Sequence, residues 1–131
     1  MEMPVPDARI MARKARIVER LLEVLPERSV IHDPMETRAY ECDALTAYRC
    51  PPLCAVLPSS TSEVSDVLRI CHEEGVPVVP RGSGTSLAGG ALPTADCVIL
   101  GVSRLTDVLE TDYDNRFIRV QTGRTNLSVT G

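Results

Sequence analysis

The sequence predicts an α+β fold, with a small parallel βαβ sheet followed by the start of a second sheet. Three observations predict it. Short aliphatic runs at Cys54–Leu57, Val76–Val79 and Cys97–Leu100 read as strands buried on both faces. An amphipathic helical pattern separates the first run from the second. After Leu109 the text turns polar, and Phe117-Ile-Arg-Val120 alternates as a strand exposed on one side does.

Each element has its own signal. Residues 7–25 place Ile10, Met11, Ile17, Val18, Leu21, Leu22 and Leu25 on one side of a helix, and Pro26 stops it. A single apolar stripe of this kind docks on the domain's own core more often than on a membrane or a partner. From Ser29 to Pro52 the text is turn-rich, with His32-Asp33-Pro34 and Pro51-Pro52 limiting regular structure, so a wrapping segment is expected. The chain thus divides into an N-terminal helix and wrap (1–53) and the sheet-forming part (54–131).

The strand at Cys54–Leu57 is closed by Pro58, and Ser60-Thr-Ser-Glu63 has the form of a capping box. The helix that follows sets Val64, Val67, Leu68 and Cys71 at i, i+3, i+4 and i+7, with Gly75 as its C-terminal cap. Asp112 and Asp114 read as solvated turn residues. Asn126 is placed to cap a new helix, and with so few residues after it the domain is expected to continue beyond Gly131.

Composition excludes several function classes. The chain has 131 residues, 44% hydrophobic and 24% charged, with a net charge of −4, which excludes disorder and fibrous repeats. No excess or cluster of Lys and Arg tracks a phosphate backbone, and an aromatic content of 3% gives no stacking platform, so no nucleic-acid partner is expected. No apolar run reaches membrane-spanning length, and Glu2 and Asp7 stand where a secretory signal needs basic residues. Five cysteines without framework spacing suit a reducing compartment and read as small buried hydrophobes; a cytoplasmic protein is expected. Cys42, Cys50, Cys54 and His72 fit no common zinc spacing, so no metal is assigned.

The main chemical signal lies between the second and third strands. In Pro80-Arg-Gly-Ser-Gly-Thr-Ser-Leu-Ala-Gly-Gly-Ala91, four of twelve residues are Gly and three are Ser or Thr. Glycines let successive backbone N–H groups converge on one point, and the hydroxyls of Ser83, Thr85 and Ser86 add donors; such a nest binds an anion. Leu87-Ala88 interrupt what would otherwise be a solvated linker. A Walker A loop is excluded, because Gly84 to Gly89 is followed by Gly90 and the chain's only lysine is Lys14. The dinucleotide fingerprint matches at Gly82 and Gly84 but meets Leu87 in its third glycine slot. Arg81 is placed equally well to pair with a phosphate or to cap carbonyls. Charge-assisted hydrogen bonds contribute about 1.5 to 3 kcal/mol each, so three or four such donors suffice to hold a diphosphate but not to bind a whole cofactor tightly.

The run Pro80 to Pro93 resembles the pyrophosphate loop of the FAD-binding domain shared by the vanillyl-alcohol oxidase and p-cresol methylhydroxylase family. More narrowly it resembles the FAD-binding subunit of glycolate oxidase and its D-lactate dehydrogenase relatives. Tyr40 to Arg49 and Leu57-Pro-Ser-Ser-Thr-Ser-Glu63 are similar to the segments that precede the loop there, so the resemblance spans roughly residues 30–131.

The resemblance implies that this is the N-terminal portion of a PCMH-type FAD-binding domain. It implies cofactor contacts from Pro58, Pro80, Arg81, Gly82, Ser83, Gly84, Thr85, Ser86, Gly89, Gly90 and Gly123. Some flavoproteins of this kind carry a flavin-linking His inside the loop; the matching position is Thr85, so non-covalent FAD is expected. The implied reaction is oxidation of a 2-hydroxy acid, with hydride transfer to the flavin. The implied electron acceptor is a quinone or an iron–sulfur partner, such as another glycolate oxidase subunit. Where the family usually shows Gln-Pro-Gly, this chain has Gln121-Thr122-Gly123. The family's substrate domain and catalytic histidines have no counterpart in these residues, so no catalytic residue is assigned and the chain alone is expected to be inactive. The alternative is a non-catalytic remnant, or a nucleotide-binding or interaction module without redox activity.

Overall fold

The computed structural model of the protein describes residues 3–130. Its N-terminal helical pattern is not one helix but two, α1 (Ala8–Met11) and α2 (Lys14–Val24). Asp7 caps α1 by accepting the N–H of Arg9 at 2.8 Å. The break falls at Arg13, whose N–H turns back to the Ile10 carbonyl at 2.9 Å and whose guanidinium reaches away to Glu74. Periodicity cannot reveal such a break, because the cause is a tertiary contact. Met11 and Leu22, which the apolar stripe included, are exposed, while Ile10, Ile17, Val18, Leu21 and Leu25 stay buried.

The segment 29–52 does wrap, and it also supplies a strand. β1 (Val30–Ile31) is followed by α3 (Pro34–Thr37), capped by Asp33 with Pro34 at its first turn, and by a 3-10 turn over Arg38–Tyr40. β2 (Cys54–Val56) then leads into α4 (Thr61–Glu74). Ser60 accepts the N–H of Glu63 at 3.1 Å. Glu63 reaches back to the N–H of Ser59 at 2.7 Å, one residue further than the usual reciprocal capping box. Gly75 closes α4 at φ +66°, with the Val76 N–H on the Cys71 carbonyl at 2.8 Å.

The buried face of α4 is Val67, Ile70, Cys71 and Glu74, rotated from the expected stripe, so that Leu68 is 45% exposed and a carboxylate faces inward. β3 (Val78–Arg81), β4 (Val98–Gly101), the antiparallel ribbon β5 (Val108–Asp112) and β6 (Phe117–Val120), and the short α5 (Leu127–Thr130) complete the chain. No helix among the described residues is long and apolar enough to cross a membrane.

The four-stranded sheet runs β1-β2-β4-β3, with β1 antiparallel to β2 and the other three strands parallel. The crossover through α4 therefore skips a position, and β4 slots between β2 and β3. Each strand shows both faces to core. Cys54, Val56, Val98 and Leu100 pack under α2 and α4, while Ala55, Cys97 and Ile99 face Ile31, Tyr40 and Val79 on the opposite side. This is the expected mixed α+β architecture, with the ribbon β5–β6 as a separate two-stranded sheet.

Candidate functional site

Parallel pairing puts the carboxyl ends of β2, β4 and β3 side by side, and the sequence-predicted binding residues other than Gly123 lie on β3 or in the segments that follow β2 and β3. Pro58 is fully buried just past β2. Pro80 lies on β3, an edge strand, and the bonds to β4 come from Pro77 and Arg81 on either side of it, so its missing N–H faces the open edge. Gly82 to Gly90 leave the end of β3 as an open loop. Gly123 arrives from β6 and seats its N–H on the Leu105 carbonyl at 2.8 Å, beside the turn that follows β4.

The loop's backbone is the notable chemistry. Among the described residues the amides of Gly82, Ser83, Gly84, Thr85, Ser86 and Leu87 donate to no protein acceptor. These six successive N–H groups, in a largely exposed loop just past β3, are free to bond solvent or a ligand. Gly84 and Gly89 sit at φ +72° and +78°, the left-handed region that reverses the direction of successive amides. A Cβ on Gly82 would meet nothing within 4 Å, whereas one on Gly84 would collide with the guanidinium of Arg81. Leu87 is 70% exposed, so it does not anchor the loop.

The anchors are two side chains. Arg81 donates through one Nη to the Cys42 carbonyl at 2.7 Å and to the Ala91 carbonyl at 3.5 Å, and its guanidinium lies 5.8 Å from the centre of the Tyr40 ring. It caps carbonyls, one of its two expected uses. Asp43, 4% exposed, accepts the Gly89 N–H at 3.1 Å and the Leu45 N–H at 3.0 Å. Sequence reasoning did not single out Asp43 as a partner of the loop. The available signal was its place in the Tyr40–Arg49 stretch, whose similarity to the family was visible without a reason for it.

Three cysteines are held inert by burial. Cys54 is pushed up to about 12 and Cys71 to about 11 by desolvation, and Cys97 is raised for the same reason. Cys42 and Cys50 are only half-buried, which corrects the expectation that all five lie in the core. An open cleft of about 760 Å³ lies along the β1 edge, between Arg28, His32, Glu36, Tyr40, Leu57 and Arg104. It shares Tyr40 with the clasp around Arg81 but touches none of the loop glycines.

Comparison with known proteins agrees with this geometry. The profile of the FAD binding domain family matches residues 52–130. The glycolate oxidase subunit GlcD of Escherichia coli K12 is 40% identical over 116 residues, covering 88% of this chain and 23% of that protein. GlcD of Bacillus subtilis is 36% identical and is covered to the same 23%, with 82% of this chain matched. A D-lactate dehydrogenase of Anaerostipes hadrus is 29% identical over 108 residues, 82% of this chain and 22% of that protein. The chain thus spans about a quarter of the length of these relatives.

Among solved structures, substrate-bound p-cresol methylhydroxylase superposes with a TM-score of 0.81 at 20% identity, over 91% of this chain and 24% of that one. The 4-ethylphenol oxidase of Gulosibacter chungangensis gives 0.78 at 22% identity, over 95% of this chain and 24% of that one. These likenesses show the fold. With the profile match over residues 52–130, they place the chain in the FAD binding domain family, with the fold of the PCMH-type flavoproteins.

Proposed function

We propose that this chain holds FAD non-covalently, with the diphosphate on the amides of Gly82 to Leu87, as the flavin-binding part of an oxidoreductase acting on a small 2-hydroxy acid such as glycolate or D-lactate. The observation that carries this reading is the run of unpaired amides in the loop that leaves the carboxyl end of β3, the edge strand of the parallel part of the sheet. The residues present fit the group. Gly82 leaves open space for a phosphate oxygen to approach the main chain, and Ser83, Thr85 and Ser86 add hydroxyl donors. Gly89 and Gly90 close the loop, and Pro58 and Gly123 are assigned cofactor contacts from the family resemblance.

When bound, FAD supplies the acceptor for the electron pair released as the substrate's hydroxyl-bearing carbon is oxidised. The chain's own residues bind and orient. Backbone donors neutralise the diphosphate charge, Arg81 and Asp43 set the loop's shape, and residues 1–53 support the sheet while residues 54–131 carry the cofactor contacts. Thr85 offers no imidazole for a flavin link, which supports non-covalent binding. The names of the GlcD relatives as oxidase subunits support assembly with further subunits. Five free cysteines support a reducing, cytoplasmic setting.

Calorimetric titration of the purified protein with FAD and with ADP tests the binding claim. Measurable binding of both is expected, and the absence of heat with both ligands overturns it. Acid precipitation should leave all yellow colour in the supernatant; colour in the pellet contradicts the reading of Thr85. No turnover of glycolate or D-lactate with an artificial acceptor is expected from these residues alone; turnover that scales with the purified protein would rule out the alternative, a nucleotide-binding module without redox chemistry.

A further inference from the structure

Of the loop's glycines, Gly89 is the one whose amide is paired inward, and its acceptor comes from a segment more than forty residues earlier, with a separation of 46. Asp43 is almost fully buried, and its carboxylate divides its two oxygens between two backbone donors, Leu45 and Gly89. Arg81 closes the same circuit from the other side. It leaves the end of β3, passes over Gly84 and Tyr40, and ties the carbonyl of Cys42 to that of Ala91. Residues 40–43 are therefore bolted to both ends of the loop, and the stretch between the bolts is the one with unpaired amides.

We propose that Asp43 is a positioning residue for the anion-binding loop: by accepting the Gly89 amide it holds the loop's far end against the wrap and leaves Gly82 to Leu87 facing the ligand. The proposal rests on the reading of the loop as the FAD diphosphate site. A loop of this composition is otherwise free to sample many conformations, because glycine loses more entropy on ordering than any other residue. Binding is tighter when that ordering precedes the ligand. The carboxylate suits this role because both of its oxygens accept, so it holds two amides at once. An asparagine in its place has one acceptor oxygen, which can keep the local bond to Leu45 but presents N–H groups to Gly89.

The test compares the wild-type protein with Asp43→Asn. In the variant the Gly89 amide should exchange with solvent about tenfold faster, with Ile99 and Leu100 on β4 unchanged, and the Kd for ADP should rise about tenfold. The thermal midpoint should stay near that of the wild type. Unchanged exchange at Gly89, or tighter ADP binding in the variant, overturns the proposal. Should Asp43→Asn fail to fold, the wild type alone decides: its Gly89 amide should exchange about tenfold more slowly than that of Thr85. Equal rates refute the clasp. A wild-type protein that binds neither ADP nor FAD sinks the diphosphate reading, whereas the exchange rates still decide whether Asp43 holds the loop.

Discussion

The carboxylate of Glu74, in the last turn of α4, is held by Arg20 of α2 at 2.9 Å. Arg13 at 2.7 Å and Arg16 at 3.1 Å complete the cluster, and a second bond from Arg13 to the Glu74 carbonyl measures 2.9 Å. A negative charge at a helix C-terminus opposes the helix dipole, and its side chain here is only 2% exposed. The three guanidiniums reverse that penalty and fix how α2 lies across α4. The hydrogen bond from Arg20 holds the Glu74 carboxyl below its ordinary range despite burial.

Glu74→Gln should therefore destabilise the fold, by about 1 to 3 kcal/mol, through loss of charge-assisted bonds to groups that stay in place. Acid acts on the same contact. Asp7 is pushed down to about 2 by the Arg9 guanidinium, and Glu74 also lies below its ordinary 4.5. Because both folded-state values lie below the unfolded ones, their contribution is complete above about pH 4.5 and is lost as the pH falls toward about 2. Thermal melts followed by circular dichroism across this range should show the midpoint falling with acid, less steeply in Glu74→Gln than in the wild type. Parallel curves would contradict the assignment.

Gly82→Val and Gly84→Val should behave differently, although both occupy the loop. Space around Gly82 is open within the protein, so its variant should fold normally and lose diphosphate affinity at least about tenfold, since a side chain blocks close approach to the main chain. Gly84 combines φ +72° with the overlying Arg81, so its variant should also lower the melting midpoint. Calorimetry with ADP and a thermal melt on each protein check both halves.

Gly123→Ala should destabilise by about 1 to 3 kcal/mol, because a Cβ there runs into the Val102 and Leu105 carbonyls, which are backbone and cannot swing aside. This strain is independent of any ligand. A denaturant melt of the protein without added nucleotide should show a reduced midpoint; an unchanged one would mean the turn after β4 yields freely.

Thiol labelling should divide the cysteines in two. At pH 8, iodoacetamide should modify Cys42 faster than Cys50, whose thiol is pushed up by partial burial, while Cys54, Cys71 and Cys97 react only after denaturation, because burial blocks access to them. Peptide mass spectrometry of native and unfolded samples reads this directly.

The sequence by itself determined the elements whose causes are local. Continuous aliphatic runs marked β2 and β4, Ser60 and Gly75 marked the ends of α4, and the clustering of Gly82, Gly84, Gly89 and Gly90 marked the loop, because each depends on neighbours a few residues away. Only the tertiary structure decided what depends on distant partners. The insertion of β4 between β2 and β3 follows from strand pairing, which no run of residues encodes alone. The break at Arg13 and the inward turn of Glu74 follow from one cluster of charges contributed by two helices. Asp43 belongs to the Tyr40–Arg49 stretch similar to the family, and only folding brings it to Gly89. A hydrogen bond between residues far apart in sequence leaves no periodic or compositional trace, and for that reason the glycine-rich loop was legible while its bond to Asp43 was not.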